Sequence, residues 1–446
     1  MNRYFIITFS ILPVIVIAGV TLLFVFDRAE VEQPKVEGIE KDLQLYAEIR
    51  EMLLKHYDGE LSEKDLRDHA LMGLASGTGD RYTRVLPPVE AREQDIDLGG
   101  TFYGIGVGAE GNEDGSIRVT GVTPGGGAEL AGILTNDVIV AIDGETTLGK
   151  TYESSVNRIR SEVEGSEVRL TLRRGSDSKR GDDPKATQLE VTVKRQRIEQ
   201  RSVHDVHIEE REGRRFGYLA ISEFSASTTK QFKEAITELA GKGAQAFIVD
   251  IRGNGGGRVD AATGVVDSLI AEKDKLITFT QSSNEANREN DRKSFTQDEE
   301  SVTDLPVVLL VDHNSASASE IVAGALRDHG RAFIIGERTY GKGVVQSIYK
   351  LKTDPAYTLN ITTTQYFTPL GRRVQTGKLG EPGGIQPDLE IKYAEGEQSR
   401  VVARMGVRRA IFNRDELAKT SQWWNYNDRM LNAAFDVLAG KPVNVK

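Results

Sequence analysis

The sequence predicts an α/β protein with a mixed-sheet core, an inserted mainly-β domain and helical N- and C-terminal regions. Three patterns lead there. From Phe216 the chain reads strand, helix, strand: Phe216 to Ile221, then Thr228 to Leu239 with Phe232, Ile236 and Leu239 on one face, then Ala246 to Ile251. Upstream, Val168, Leu170 and Leu172 alternate with polar residues. Leu189, Val191 and Val193 repeat that period beyond a polar loop, as in a β-hairpin. Near the start, Leu43, Tyr46, Ile49 and Leu53 recur at the spacing of an amphipathic helix.

The remaining elements follow in order. Tyr4 to Phe26 holds no charged residue and, as a helix, is long enough to span a hydrocarbon core of about 30 Å. It ends in Asp27-Arg28-Ala29-Glu30, not in a small-x-small cleavage site, so residues 1–30 read as an uncleaved anchor with the bulk of the chain extracytoplasmic. Residues 31–97 are a stem and a helical region. Glu63 to Leu74 forms its second helix, and the turn Ser76 to Asp80 follows. Residues 98–197 are the β-rich insert and 198–395 the core. Within the core, Gln281 to Asp304 is a polar excursion and Pro306 to Asp312 a continuous apolar strand. A helix Ala318 to His329 and strands Ala332 to Ile335, Val344 to Leu351 and Tyr357 to Phe367 complete it. Residues 396–446 are helical, with Trp423 and Trp424 as packing aromatics.

Composition excludes several functions. A net charge of -10 over 446 residues offers no basic field for phosphate backbones, so nucleic acid is not an expected partner. The absence of Cys removes disulfides, thiolate metal sites and a Cys nucleophile. No HExxH pair occurs among the six His, and His204 and His207 read as surface or internally satisfied, so no metal or cofactor is expected.

Three segments remain as candidate chemistry. Asn314-Ser315-Ala316-Ser317-Ala318-Ser319-Glu320 lies between a buried strand and a helix. Ser317 and Glu320 match a capping box, a structural role. The same turn would expose a hydroxyl beside the free N–H of Ala318, as acyl transfer requires. The pattern does not choose among Ser315, Ser317 and Ser319. A serine nucleophile needs a base, but no GxSxG elbow occurs, and His313 and His329 have no evident orienting partner. Lys342, in the loop Tyr340-Gly341-Lys342-Gly343, is the better candidate because desolvation lowers an amine's pKa toward the working range. Gln346, four residues on, shares its face if the strand is regular. Asp250 to Gly257 is a glycine-rich loop able to aim N–H groups into a cleft. Gly336 to Lys342 has the spacing of a phosphate loop, but Gly343 stands where a Ser or Thr should hold the magnesium.

Taken together, these segments resemble the carboxyl-terminal processing, or tail-specific, serine peptidases with a PDZ domain. The resemblance runs from about Tyr46 to Ile391. It includes Phe216 to Ser222, Asp250 to Gly257, Asn314 to Gly324, Gly336 to Gln346, Tyr366-Phe367-Thr368-Pro369 and Gly384 to Asp388. It implies a ClpP/crotonase-like core with a PDZ domain at 98–197, and a Ser/Lys dyad of Ser317 and Lys342 with Gln346 positioning the lysine. The oxyanion donors would be the N–H groups of Ala318 and Gly256. Tyr103-Gly104-Ile105-Gly106 would bind a substrate's terminal carboxylate while the tail adds as a strand. Asn136 replaces a usual Gly and is expected to need positive φ. By the same analogy the partners are protein or peptide tails, a second copy of the chain in a homo-oligomer, and an adaptor protein. The location would be the bacterial inner membrane, single-pass, with the catalytic part in the periplasm.

Overall fold

The computed structural model describes residues 38–161, 163–175, 185–298, 300–377, 381–394, 396–398, 401 and 428–443. The apolar run Tyr4 to Phe26 and the pair Trp423 and Trp424 lie outside them. Among the described residues no helix is long and apolar enough to cross a membrane. The chain forms two compact units, one through Arg67 and one from Asp68. In the first, helix α1 (Ile39–His56) carries the expected apolar stripe, yet none of its residues is buried. Helix α2 (Glu63–Ser76) leads into the second.

That unit begins with β1 (Arg84–Leu86), α3 (Pro88–Gly99) and β2 (Thr101–Gly104). The insert follows as β3 (Val107–Gly111), β4 (Ile117–Val122), α4 (Gly127–Leu130), β5 (Val138–Ile142), β6 (Glu145–Thr146), α5 (Tyr152–Ile159), β7 (Glu167–Arg174) and β8 (Thr187–Lys194). Strand β9 (Gln196–Glu199) returns to pair with β2. The expected hairpin is β7 and β8, with Leu170 opposite Val191. Its inward residues join Ile117, Val119, Ile139 and Ile142 in one apolar core. The sheet order β3-β4-β5-β7-β8 leaves one side of β3 open. Asn136 adopts φ 72°, the left-handed conformation expected of it.

The core contains β10 (Val203–Arg211), β11 (Arg214–Ile221), α6 (Thr228–Gly241), β12 (Ala246–Asp250), α7 (Val259–Asp267), β13 (Leu276–Gln281), β14 (Lys293–Phe295) and β15 (Val307–Val311). It continues with α8 (Ala318–Asp328), β16 (Ala332–Gly336), β17 (Val344–Lys350), β18 (Thr358–Phe367) and β19 (Leu389–Glu390). Helix α9 (Arg429–Leu438) comes last. One sheet runs β10-β11-β12-β15-β16-β19, parallel from β11 onward. Its central strands are apolar on both faces because both faces are covered. Leu219, Val249, Leu309 and Ile334 pack toward α6, α7 and α8, whereas Tyr218, Ile248, Leu310 and Ile335 pack toward Met430, Ala434 and Phe435 of α9.

The second sheet is antiparallel, β1-β18-β13-β14 with β17 also on β18. Strand β1 comes from the stretch in which the sequence showed only helices. It pairs with β18 through Arg84↔Asn360.

A buried ion cluster fastens α9 to the sheet. The Arg252 guanidinium donates to Asp250 at 2.6 Å and to both Asp428 oxygens at 3.0 and 2.9 Å, and all three residues are buried. Asp428 also caps α9 by accepting from Leu431 N–H at 3.0 Å. Removing Asp428 leaves two buried guanidinium N–H groups without acceptors and α9 without its cap. Asp428→Ala is therefore expected to lower unfolding free energy by about 3 to 5 kcal/mol, read from urea denaturation. An unchanged midpoint and slope would contradict this role for the cluster.

Candidate active site

Parallel strands deliver their following loops to one edge of a sheet, and three neighbouring strands do so here. After β12 comes the glycine loop 251–257, after β15 the serine loop 312–317, and after β16 the lysine loop 337–343.

The serine loop separates its three hydroxyls by burial. Ser315 is fully buried and donates to Ile251 O at 2.9 Å, and Ser319, also fully buried, donates to Asn254 O at 2.8 Å. Ser317 is half-buried, with φ 55° and ψ -116° at the start of α8. A non-glycine residue in that region stores roughly 1 to 3 kcal/mol of strain and persists only where its surroundings fix it. Ser317 and Glu320 stand in the capping-box arrangement. However, the Glu320 N–H donates to Ser317 O at 2.8 Å, and the Ser317 hydroxyl makes no cap hydrogen bond. The structural duty of the box falls on Glu320, which leaves the hydroxyl available.

Gly256 lies against this turn. A Cβ placed on it would sit 2.8 Å from Ser317 Cβ and 3.1 Å from Ala318 N, and its φ is 109°, so the approach requires glycine. The Ala318 N–H donates to nothing among the described residues, whereas Gly256 N–H donates to Asn254 Oδ1 at 2.9 Å.

Lys342 is half-buried at the head of β17. Among the described residues no hydrogen bond or ion pair reaches its amine, and none joins it to the Ser317 hydroxyl. The amine lies 5.1 Å from the centre of the Tyr82 ring. Burial, then the Arg84 cation, pushes it below lysine's ordinary range, with Arg81 adding to this and Glu320 and Asp80 opposing it. Gln346 donates to Thr362 Oγ1 at 3.3 Å and makes no hydrogen bond to Lys342. The β17–β18 pairing steps out of register between Val345 and Gln346, which upsets the regular alternation assumed from the sequence.

The segment Asp80 to Arg84 is part of this site and is not singled out by the sequence, where it follows the turn Ser76 to Asp80 in a region that reads as helical. Arg81 donates to Tyr82 OH at 2.6 Å and stacks over the rings of Tyr82 and Tyr340. Against burial, which raises it, hydrogen bonds from Thr362, Tyr82 and Thr83 hold the Asp80 carboxyl below its usual range.

Beneath both loops lies Glu320, fully buried. Its Oε2 accepts from Ser317 N at 2.8 Å and Lys342 N at 2.9 Å, and its Oε1 from Thr339 Oγ1 at 2.6 Å and Gly341 N at 2.7 Å. Burial pushes this carboxyl above the ordinary range despite those four bonds. The Tyr366 hydroxyl bridges the carbonyl oxygens of Ser317 and Lys342 at 2.9 and 2.6 Å. The spacing Gly336 to Lys342 is therefore no phosphate cradle. Two of its N–H groups serve Glu320, and it runs into a strand where a phosphate loop runs into a helix. Neither nearby histidine joins the site: His313 pairs with Glu337 at 2.8 Å, and His329 donates to Leu276 O at 2.8 Å.

In the insert, Tyr103 and Gly104 pair with Arg197 and Gln196. The Ile105 and Gly106 carbonyls accept from Ala128 and Thr123 at 2.8 and 2.9 Å, while their N–H groups donate to nothing among the described residues. The open edge of β3 faces α5. There Tyr152, the first residue of the helix, donates its hydroxyl to Ala109 O at 3.0 Å and packs on Gly111.

Residues 215–391 match peptidase family S41, and residues 118–174 match the PDZ domain. The carboxyl-terminal-processing protease of Picosynechococcus sp. is 33% identical over 349 residues, which is 78% of this chain and 78% of that one. The carboxy-terminal processing protease CtpB of Bacillus subtilis is 28% identical over 392 residues, 85% of this chain and 75% of its own. Among solved structures, the photosystem II D1 C-terminal processing protease aligns over 78% of this chain and 86% of its own, at 26% identity and a TM-score of 0.41. With a third of residues shared over nearly four-fifths of both chains in the first comparison, the chain belongs to the carboxyl-terminal-processing serine peptidases of family S41 and carries a PDZ domain.

Proposed function

We propose that this peptidase takes protein chains by their carboxyl-terminal tails and hydrolyses them with a dyad of Ser317 and Lys342. One observation carries the reading: a half-buried amine without a hydrogen-bonded partner stands on a loop fastened to the same carboxylate oxygen as the one half-exposed serine of its turn. The neutral Lys342 amine accepts the Ser317 proton as Oγ bonds to the scissile carbonyl carbon. Negative charge then develops on the carbonyl oxygen beside Ala318 N–H, with Gly256 as second donor once its N–H leaves Asn254 Oδ1. Collapse breaks the C–N bond, and the Lys342 ammonium returns the proton to the departing nitrogen. Water repeats the sequence on the acyl-enzyme, giving its proton to Lys342 and freeing Ser317. Gln346 orients the amine when it exchanges Thr362 for Lys342. The Ile105 and Gly106 N–H groups, flanked by Tyr103 and Gly104, receive the tail's carboxylate, and the tail adds along β3.

The uncharged run Tyr4 to Phe26 supports an inner-membrane anchor, and the lack of Cys is compatible with a periplasmic catalytic part. The exposed apolar stripe of α1 supports a homo-oligomer built on that helix. An adaptor that delivers substrates is part of the same proposal, by analogy alone.

Ser317→Ala and Lys342→Ala are each expected to abolish digestion of a denatured protein, and wild-type turnover in either variant would sink the dyad. Because the amine must be neutral to accept a proton, the rate should rise with pH through a midpoint below about 10.4. Arg84→Gln, which removes a neighbouring like charge, should move that midpoint upward; a downward move would contradict the electrostatic account. Tail binding is measurable on the Ser317→Ala protein with a peptide ending in a free apolar residue, its amidated form serving as control. Tyr152→Phe frees the Ala109 carbonyl and is expected to tighten binding about 2- to 10-fold. Weaker binding would mean that the hydroxyl serves the tail.

A further inference from the structure

Glu320 has no role in proton transfer as written above, yet it is a fully buried carboxyl group that accepts four hydrogen bonds. Every group on its two oxygens is a donor: Ser317 N–H and Lys342 N–H on Oε2, Thr339 Oγ1–H and Gly341 N–H on Oε1. The Thr339 oxygen in turn accepts from Ile385 N–H at 2.6 Å. Three of the four donors are backbone N–H groups, which cannot accept a proton, so the hydrogen bonds favour the ionised carboxylate while burial opposes it. Such a pocket stabilises a buried charge only while all its donors stay in place.

We propose that Glu320 is a positioning residue that sets the separation of nucleophile and base, by holding the serine turn and the lysine loop on one carboxylate. This rests on the Ser/Lys reading and adds to it. A helix cap alone needs only the bond to Ser317. The three bonds to Thr339, Gly341 and Lys342 reach across to a segment about twenty residues later and bring the Lys342 backbone to the oxygen that holds Ser317. The strained φ of Ser317 fits this role, since the Glu320 bond to its N–H and the Tyr366 bond to its carbonyl clamp both sides of the residue.

The anion also acts through space. Lys342 faces Arg84, Arg81, Asp80 and Tyr82 from the stretch around β1, and Glu320 from α8. Of these, Glu320 and Asp80 favour the ammonium. Neutralising Glu320 therefore has two separable effects. Gln keeps the size but turns an N–H₂ toward two donors, so one loop loosens and turnover falls. Loss of the negative charge also makes the Lys342 amine easier to deprotonate.

The test is steady-state kinetics of Glu320→Gln and Thr339→Val on a soluble peptide substrate across the alkaline range, with urea denaturation of each to count folded enzyme. For Glu320→Gln we expect kcat to drop about 100-fold with KM little changed, and the midpoint of the rising limb to move down by about one pH unit. Thr339→Val removes one donor and no charge, so kcat should fall several-fold with the midpoint in place. Wild-type kcat in Thr339→Val, or a Glu320→Gln loss that vanishes when corrected for folded fraction and leaves the midpoint unmoved, overturns the proposal. Lys342→Ala run alongside separates the two readings. If it keeps wild-type turnover, the dyad itself fails; if it is inactive while Glu320→Gln behaves as wild type, only the positioning role fails.

Discussion

The two loops of the proposed site converge on a carboxyl group that water does not reach. Glu320 accepts four hydrogen bonds from the serine turn and the lysine loop, which the Tyr340 N–H also joins by donating to Ser315 O at 3.1 Å. Each leaves the carboxyl end of its own parallel strand, and β15 and β16 are neighbours in the sheet. Adjacent strands set loop origins roughly 5 Å apart but do not fix where the loops go. Direction comes from the charge: an ion so deeply buried must gather donors from whatever backbone is near, and the donors it gathers are those of Ser317, Gly341 and Lys342. Tyr366, buried on β18 of the second sheet, meets the same two residues through their carbonyls, so both sheets contribute to the register of the site.

The glycine loop adds a third constraint, one of space. Gly256 approaches the Ser317 turn more closely than any side chain would permit. The Gly253 N–H donates to Asp312 Oδ1 at 2.9 Å and Ala316 N–H to Asn254 O at 3.0 Å, which ties the loop to the strand end before Ser317. Arg252 begins this loop and is fixed in turn by Asp250 and Asp428. A continuous path of polar contacts therefore leads from α9 to the turn that carries Ser317. The helix does more than cover a sheet face.

Much of this was legible in the sequence, and what escaped has a physical reason. The central strands, α6 and α8 were readable because apolar runs and 3.6-residue spacing report burial directly, as Phe232, Ile236 and Val308 do, whereas α7 was not read. Lys342 was readable because flanking glycines are informative about backbone approach. Ser315, Ser317 and Ser319 were indistinguishable: residues of one type at alternate positions differ only in what surrounds them, and the surroundings are Ile251 and Asn254 from another loop. Glu320 was read as a cap, its local role, because nothing local betrays bonds to Thr339 and Gly341. Asp80 to Arg84 could not be joined to Lys342 at all. That junction is made by β1 adding to β18, a pairing between segments nearly three hundred residues apart that leaves no periodic trace. The relation of Gln346 to Lys342 was inferred from a regular strand, and a local break in pairing is invisible to that argument.

The titration behaviour of the site indicates the cost of this arrangement. Lys342 has a lower pKa folded than unfolded, so between the two values the unfolded chain binds more protons, and the stability this group contributes is present above the ordinary lysine value and lost as pH falls through the lowered one. Glu320 has the opposite displacement. Its contribution is complete below the ordinary carboxyl value and is lost as pH rises through the raised one. At any pH below the lowered lysine value and above the raised carboxyl one, both groups stand on the unfavourable side of their shifts, an ammonium half withdrawn from water and a carboxylate fully withdrawn. They are oppositely charged and each moderates the other, yet no ion pair forms between them, because the carboxylate is turned to the backbone of Lys342 and away from its amine. An amine paired with Glu320 would be held as ammonium. With the carboxylate given to the main chain, the negative charge fixes the backbone where the lysine starts, and its tip is left for the proton exchange proposed above.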